Sequence, residues 1–416
     1  MKNRLLFFLS FTPIFFSSCS DSTPDDDQYA EYVVARPLIL SKADFANGVD
    51  IVPPQPIDES GKVYTYGDYI FINDKSRGIH VVENSNPQQP VKIAFIEIPG
   101  NVDISIKDNF LYADSIMDLI VLDISDITDI QQVNRLENVL REGVIFPFEA
   151  DIVEYGSYNY ETDVLVGWET VTERRLIADV RTDDLFFTDE AVLAANDSAG
   201  TGEGGSLARF KIVGEFLYAV DSHTINVFDI SDLENPKDME DVYAGFDIET
   251  IFNRGEHLFL GSMRGMYIFD ISSPATPTFV SEFQHGTACD PVVVDGDYAY
   301  VTLRGGNGCG ALESGLFIVD ISNIENPVLT TSYPMEEPYG LGVREEKLFI
   351  CDGSSGLKVY DKTNVEEITL LNHFKDIVTF DVIPLESHLI MVGDDVLYQY
   401  EYLDDNIRLI SQIGLN

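Results

Sequence analysis

Basic residues are scarce in this chain: 26 Lys and Arg stand against 71 Asp and Glu, for a formal net charge of −45. A surface so acidic repels a phosphate backbone, which excludes nucleic acid as a partner class. It suits solubility, attraction of cations, or a neutral or basic partner. Catalytic signatures are missing as well. There is no G-x-S-x-G and no H-E-x-x-H, and the Gly-rich Gly305–Gly310 lacks the Lys-Ser/Thr of a phosphate loop. The six histidines, at 80, 223, 257, 285, 373 and 388, are scattered with no ligand spacing. No stretch after the first 20 residues is long and apolar enough to cross a bilayer. A hydrophobic content of 45% nonetheless allows a large core, so a wholly disordered chain is ruled out.

The N-terminus has the layout of an export signal. Lys2 and Arg4 precede an apolar run from Leu5 to Phe16, and Ser17-Ser18-Cys19 follows. Small residues directly before a cysteine resemble the lipobox of bacterial lipoproteins, with Phe16 departing from the usual leucine. The resemblance implies cleavage after residue 18 and a lipid on Cys19; a plain cleaved signal is the alternative. The polar, acidic stretch behind Cys19 resembles the export signals of Bacteroidetes surface lipoproteins. Residues 19–35 are expected to be a disordered tether. The expected location is the outer membrane, lipid-anchored and either periplasmic or surface-exposed.

Self-comparison gives the strongest signal. A unit of the form apolar-apolar-x-apolar-acidic ends at Glu83, Asp123, Asp229, Asp270, Asp320, Asp361 and Glu401, spaced by 40, 106, 41, 50, 41 and 40 residues. A period near 40 is that of a propeller blade with four strands. The 106 is one period plus an insertion of about 66 residues, and the 50 holds a loop longer by about ten. In the second unit, Val102–Ile106, Phe110–Ala113, Leu119–Asp123 and Gln132–Leu136 read as the four strands. The recurring acids are turn formers, because Asp and Ser side chains bond amides at an Asp-Ile-Ser-Asn-Pro corner.

The sequence Gly315-Leu-Phe-Ile-Val-Asp-Ile-Ser-Asn-Ile-Glu-Asn-Pro-Val328 resembles the LVIVD-repeat family of bacterial proteins. That resemblance covers residues 61–416 apart from the insertion. It implies a β-propeller in an extracytoplasmic setting and supplies no catalytic residues. The expected fold is therefore all-β, a propeller over residues 36–416 with about seven four-stranded blades, six and eight being the neighbouring counts. The first, sixth and seventh units depart most, with Glu83, Glu401 and Lys362-Thr363 in place of the consensus. Residues 32–60, with Val33–Leu40 strand-like, are expected to add a strand that closes the ring or covers the first blade's edge.

Strand alternation predicts where the variation lies. The insertion, 144–204, links the fourth strand of blade two to the first of blade three, and loop 305–314 links the second and third strands of blade five. Both should leave from one face, the top, where the innermost strands begin. Within the insertion, Asp163–Val171 reads as a strand, Thr188–Ala195 as a capped helix, and Asp197–Gly205 as a mobile Gly-rich segment. Trp168 is either a stacking platform for a sugar or apolar ligand or the subdomain's small core. Arg209, Arg304 and His285 are further candidates for ligand contact near this face.

Cys289 and Cys309 fall on the same face, and an oxidising compartment predicts a disulfide between them, with metal binding or free thiols as alternatives. Cys351 reads as a buried core thiol. Asp103, Asp247, Asp290 and Asp381 open inner strands. They either converge on a hard cation such as calcium or bond exposed inner-strand amides. The leading functional reading is a non-enzymatic binding or scaffold module that presents its top face to an envelope glycan, peptide or protein. The alternative is a metal-dependent propeller hydrolase or lactonase.

Overall fold

The computed structural model describes residues 29–57, 60–141, 147, 150–156, 158–177, 203–284, 291–305, 314–394, 396–404 and 406–415. Among them lie seven consecutive antiparallel sheets, each with its main strands contiguous in sequence. Blade two runs Ile104–Lys107, Phe110–Ser115, Asp118–Asp123 and Gln131–Leu136, within two residues of the expected boundaries. Its first hairpin turns on Asp108 and Asn109, both with positive φ, the geometry a tight two-residue turn demands.

Packing between sheets closes the ring. Separate apolar clusters join blades one and two, two and three, three and four, four to six, and six and seven. The last cluster sets Val63, Ile70 and Val82 of blade one against Ile383, Ile390 and Leu397 of blade seven. Each blade hides its two apolar faces only by meeting a neighbour on both sides, so an open arc would expose two of them. Among the described residues no strand is exchanged at the seam. Instead, the amides of Asn84 and Gln399 bond reciprocally at 3.0 and 2.7 Å, and Ile57 donates to the Leu415 carbonyl at 3.0 Å. At this seam Asn84 stands where blades two to five bury an isoleucine. In blade six Lys362 fills that place. Its stem is buried near Tyr300 and its ammonium reaches Asp295 at 2.7 Å.

The recurring acids are corner formers. Glu83, Asp123, Asp229, Asp270, Asp320 and Asp361 each accept the amide two residues on, at 2.8–3.0 Å. Glu401, in the seventh unit, pairs with Arg408 instead. Hydrogen bonds from the Ser or Thr hydroxyl and amide hold the six corner carboxyls below their ordinary range. A carboxyl whose pKa is depressed in the folded state contributes stability above its unfolded pKa and loses it as pH falls through the folded value. Thermal unfolding followed from pH 7 to pH 2 should therefore show its steepest loss below about pH 4, where these groups protonate. A midpoint flat to pH 2 would contradict the corner assignment.

The N-terminal strand does not close the ring. It runs over Tyr29–Ser41, starting inside the expected tether, and pairs antiparallel with Asp163–Leu176 of the insertion from Tyr29↔Leu176 to Ser41↔Asp163. Ile152–Val153 adds a parallel third strand. Residues 36–41 thus belong to this separate sheet and not to the propeller. The outer edge of blade one is covered, as one of the two alternatives for residues 32–60 has it, by Asp50–Val52, paired with Val91–Glu97.

Candidate functional site: the top face and the axial channel

The three-stranded sheet sits on the turns of blades one and two. Gly167 meets Ser76, between the second and third strands of blade one. Gly100, on the link between the blades, lies under the Val166 carbonyl and beside Ile116 of the blade-two turn. All three sites lie on the face where inner strands begin, so the insertion's sheet occupies the top, as strand alternation predicts. Arg36, Glu154, Glu173 and Arg175 bond side by side across its strands at 2.7–3.0 Å. Trp168 is partly buried, edge-on to Tyr155 at 5.7 Å, with its indole nitrogen enclosed.

Two groups of exposed aromatic side chains lie on this face, while Phe279, where the outer strand of blade four begins, is exposed away from it. Tyr155, Tyr158 and Tyr160 stand out from the insertion sheet and its loop. Over blades three and four, Tyr243 and Phe246 are exposed and meet edge to face at 6.0 Å. His223 approaches Phe246 at 5.6 Å, and the Arg264 guanidinium lies over its ring at 5.2 Å. Sequence reasoning missed Tyr243 and Phe246, because an aromatic residue inside a repeat reads as core. The signal was the irregular outer strand of blade three, split into Lys237–Asp238 and Val242–Tyr243.

The predicted acids are not equivalent. Asp247 is half-exposed in a left-handed turn and pairs with Arg264 at 2.8 Å. Asp103 is buried and binds the Lys62 ammonium at 2.7 Å, with the amides of Ile104, Arg209 and Phe210. Burial lowers the Lys62 pKa, and the Asp103 charge opposes that shift. Behind them Asp114 accepts the amides of Val102 and Asp103 at 2.8 and 2.9 Å, yet burial pushes its carboxyl up to about 6. Asp381 accepts from the Ser206 amide, the Ser206 hydroxyl and the Val382 amide at 2.9–3.1 Å. Of the predicted acids, Asp103 and Asp381 thus bond backbone amides, and both do so across to other segments. Among the described residues no group of three or more His, Cys, Asp or Glu is placed to hold a metal ion.

Arg209 contributes its backbone amide to Asp103, and its charge is felt at Lys62. Arg304 donates to the Tyr339 hydroxyl at 3.1 Å and stacks on that ring. Cys351 is a fully buried thiol, raised well above its ordinary pKa by burial and by Asp381 and Asp352 nearby, so it is no nucleophile at neutral pH. Cys19, Cys289, Cys309, His285, Asp290 and the helix expected at 188–195 lie outside the described residues.

The channel itself is occupied. Glu203–Gly204 pairs antiparallel with the innermost strand of blade one, opposite Thr65 and Tyr64. The chain then passes Asp381 of blade seven, takes the Leu341 amide of blade six on the Ser206 hydroxyl at 2.6 Å, and gives the Ala208 carbonyl to Ile251 of blade four. Gly204 to Ala208 are all buried. The segment read as mobile is, in its last residues, a packed crossing of the axis.

A family model of the LVIVD repeat matches residues 59–94, 100–136, 254–284 and 285–334, which are blades one, two, four and five. No curated protein matches the chain. Among solved structures, the computationally designed Ika8 protein is 10% identical at TM-score 0.50, covering 88% of this chain and 90% of that one. A functionally unknown protein from Desulfotomaculum acetoxidans is 12% identical at TM-score 0.50, covering 84% and 95%. Hsv2 of Kluyveromyces lactis is 12% identical at TM-score 0.48, covering 86% and 100%. Likenesses at this identity concern the fold alone.

Proposed function

From a propeller that carries LVIVD repeats, we propose an exported, lipid-anchored binding module of the cell envelope, tethered through Cys19 and meeting its ligand with the top face. The observation that carries this reading is the placement of exposed Tyr155, Tyr160, Tyr243 and Phe246 on one face of a rigid ring. Amphipathic rings on a fixed scaffold give large contact area at low entropic cost, and such residues dominate binding energy. The acidic surface keeps the ligand class neutral or basic, with an envelope glycan the first to test and a peptide or protein next. The apolar run and small residues before Cys19 support export and lipidation.

The experiment has two arms. Cys19→Ser should move the protein from the membrane to the soluble fraction and abolish incorporation of labelled palmitate; persistence of both would remove the anchor. Tyr243→Ala with Phe246→Ala, and separately Tyr155→Ala with Tyr160→Ala, should weaken binding to purified envelope polysaccharide by about tenfold or more. Gln89→Ala and Glu325→Ala, on links of the opposite face, should leave it unchanged. Equal loss from both faces would overturn the top-face assignment.

A further inference from the structure

The arm 203–208 connects the insertion to blade three, yet it takes an indirect route through the ring. It contacts the inner strand of blade one, Asp381 of blade seven, Gly340 and Leu341 of blade six and Ile251 of blade four. Its composition suits that path. A Cβ on Gly205 would sit 1.9 Å from the Asp381 carboxylate, and one on Gly340 would fall 2.2 Å from the same group and 2.8 Å from the Ser206 hydroxyl. Both segments therefore close on one buried carboxyl, Gly205 nearest its Oδ2 and Gly340 nearest its Oδ1. We propose that this arm is a releasable latch on the axial channel, held shut by the Ser206–Asp381 contact, so that residues 203–208 gate the ring from within. The proposal does not depend on the binding role of the top face.

The chemistry of release follows from what surrounds Asp381. Gly205, Ser206 and Leu207 of the arm, Gly340 of blade six and Val382 of its own strand lie against it, and the Cys351 thiol of blade six is near enough to feel its charge. Of these only Cys351 titrates, and its raised thiol stays neutral, so no cation among them offsets a charge on the carboxyl. Burial pushes Asp381 up to about 7 despite the amide and hydroxyl donors that oppose the shift. The closed latch thus favours the protonated acid. Its penalty for the charged form begins above the ordinary aspartate value and is complete above about pH 7. Lifting the arm would hydrate the carboxylate, so rising pH drives release.

Amide hydrogen exchange on the intact protein tests this, with rates corrected for the intrinsic effect of pH. Protection over 203–208 should fall by about tenfold or more between pH 5.5 and 8.5, while amides of the Lys347–Cys351 strand hold theirs. Asp381→Asn should abolish the pH dependence over the arm. Arm protection that is equal at both pH values in the wild type overturns the latch. So does a loss shared by every blade, which would report global opening; these two wild-type readouts decide the matter even if the asparagine variant folds poorly.

Discussion

Asp103→Ala is expected to destabilise the protein by about 3–5 kcal/mol, the range for orphaning one member of a buried ion pair. Lys62 and Asp103 are both almost wholly inaccessible, at 6% and 3% exposure. The carboxylate is also the acceptor for three amides: its neighbour Ile104, and Arg209 and Phe210 where blade three begins. Alanine leaves an ammonium in a low-dielectric wall and three donors without an acceptor, and water has little room to replace it. Lys62→Met is expected to cost less, because Asp103 keeps its amide donors. The double variant Lys62→Met, Asp103→Leu should recover part of the loss, since an apolar pair carries no uncompensated charge. Denaturant unfolding of the three variants provides the cycle. A loss under about 1 kcal/mol for Asp103→Ala would show that the pair is hydrated and not buried.

That pair illustrates where sequence reading stops. Asp103 was visible as an acid opening an inner strand, but Lys62, 41 residues earlier, carried no sign that it would reach into the next blade. What the chain repeats was legible. The corner carboxylates, the strand boundaries of blade two and the face of the insertion all follow from a period near 40 residues and from strand alternation. What occurs once was not. Val33–Leu40 alternates like any strand, and nothing local says that its partner lies at 163–176 instead of at a blade edge. Gly204-Gly205-Ser206 has the composition of a flexible linker. Its packing is set by Asp381, 175 residues away, where a side chain of any size would collide. Tyr243 and Phe246 are exposed because the outer strand of blade three breaks before them, a local failure of the repeat that periodicity averages over.

The repeat also contains a residue whose reason is geometric. Just before the third strand of blade six, Leu357–Asp361, stands Gly356, with φ +91°, and a Cβ there would fall 2.0 Å from the Phe374 carbonyl oxygen of the outer strand. Gly78 in blade one meets the Ile96 carbonyl at the same 2.0 Å. Backbone, unlike a flexible side chain, cannot swing aside without breaking the ladder it belongs to. Gly356→Ala therefore combines a left-handed φ with a backbone collision and should cost about 2–4 kcal/mol. It should also raise exchange at the outer strand Thr369–Phe374 before the inner strand responds. Blade three provides the contrast. Thr224 stands at the corresponding position and pairs with Tyr243 of the split outer strand, so a side chain is accommodated there. Thr224→Gly should therefore lower stability by about 1 kcal/mol or less, the ordinary cost of glycine in a strand. Similar losses for both substitutions would mean that the glycine marks only a turn preference and not the close approach of two backbones.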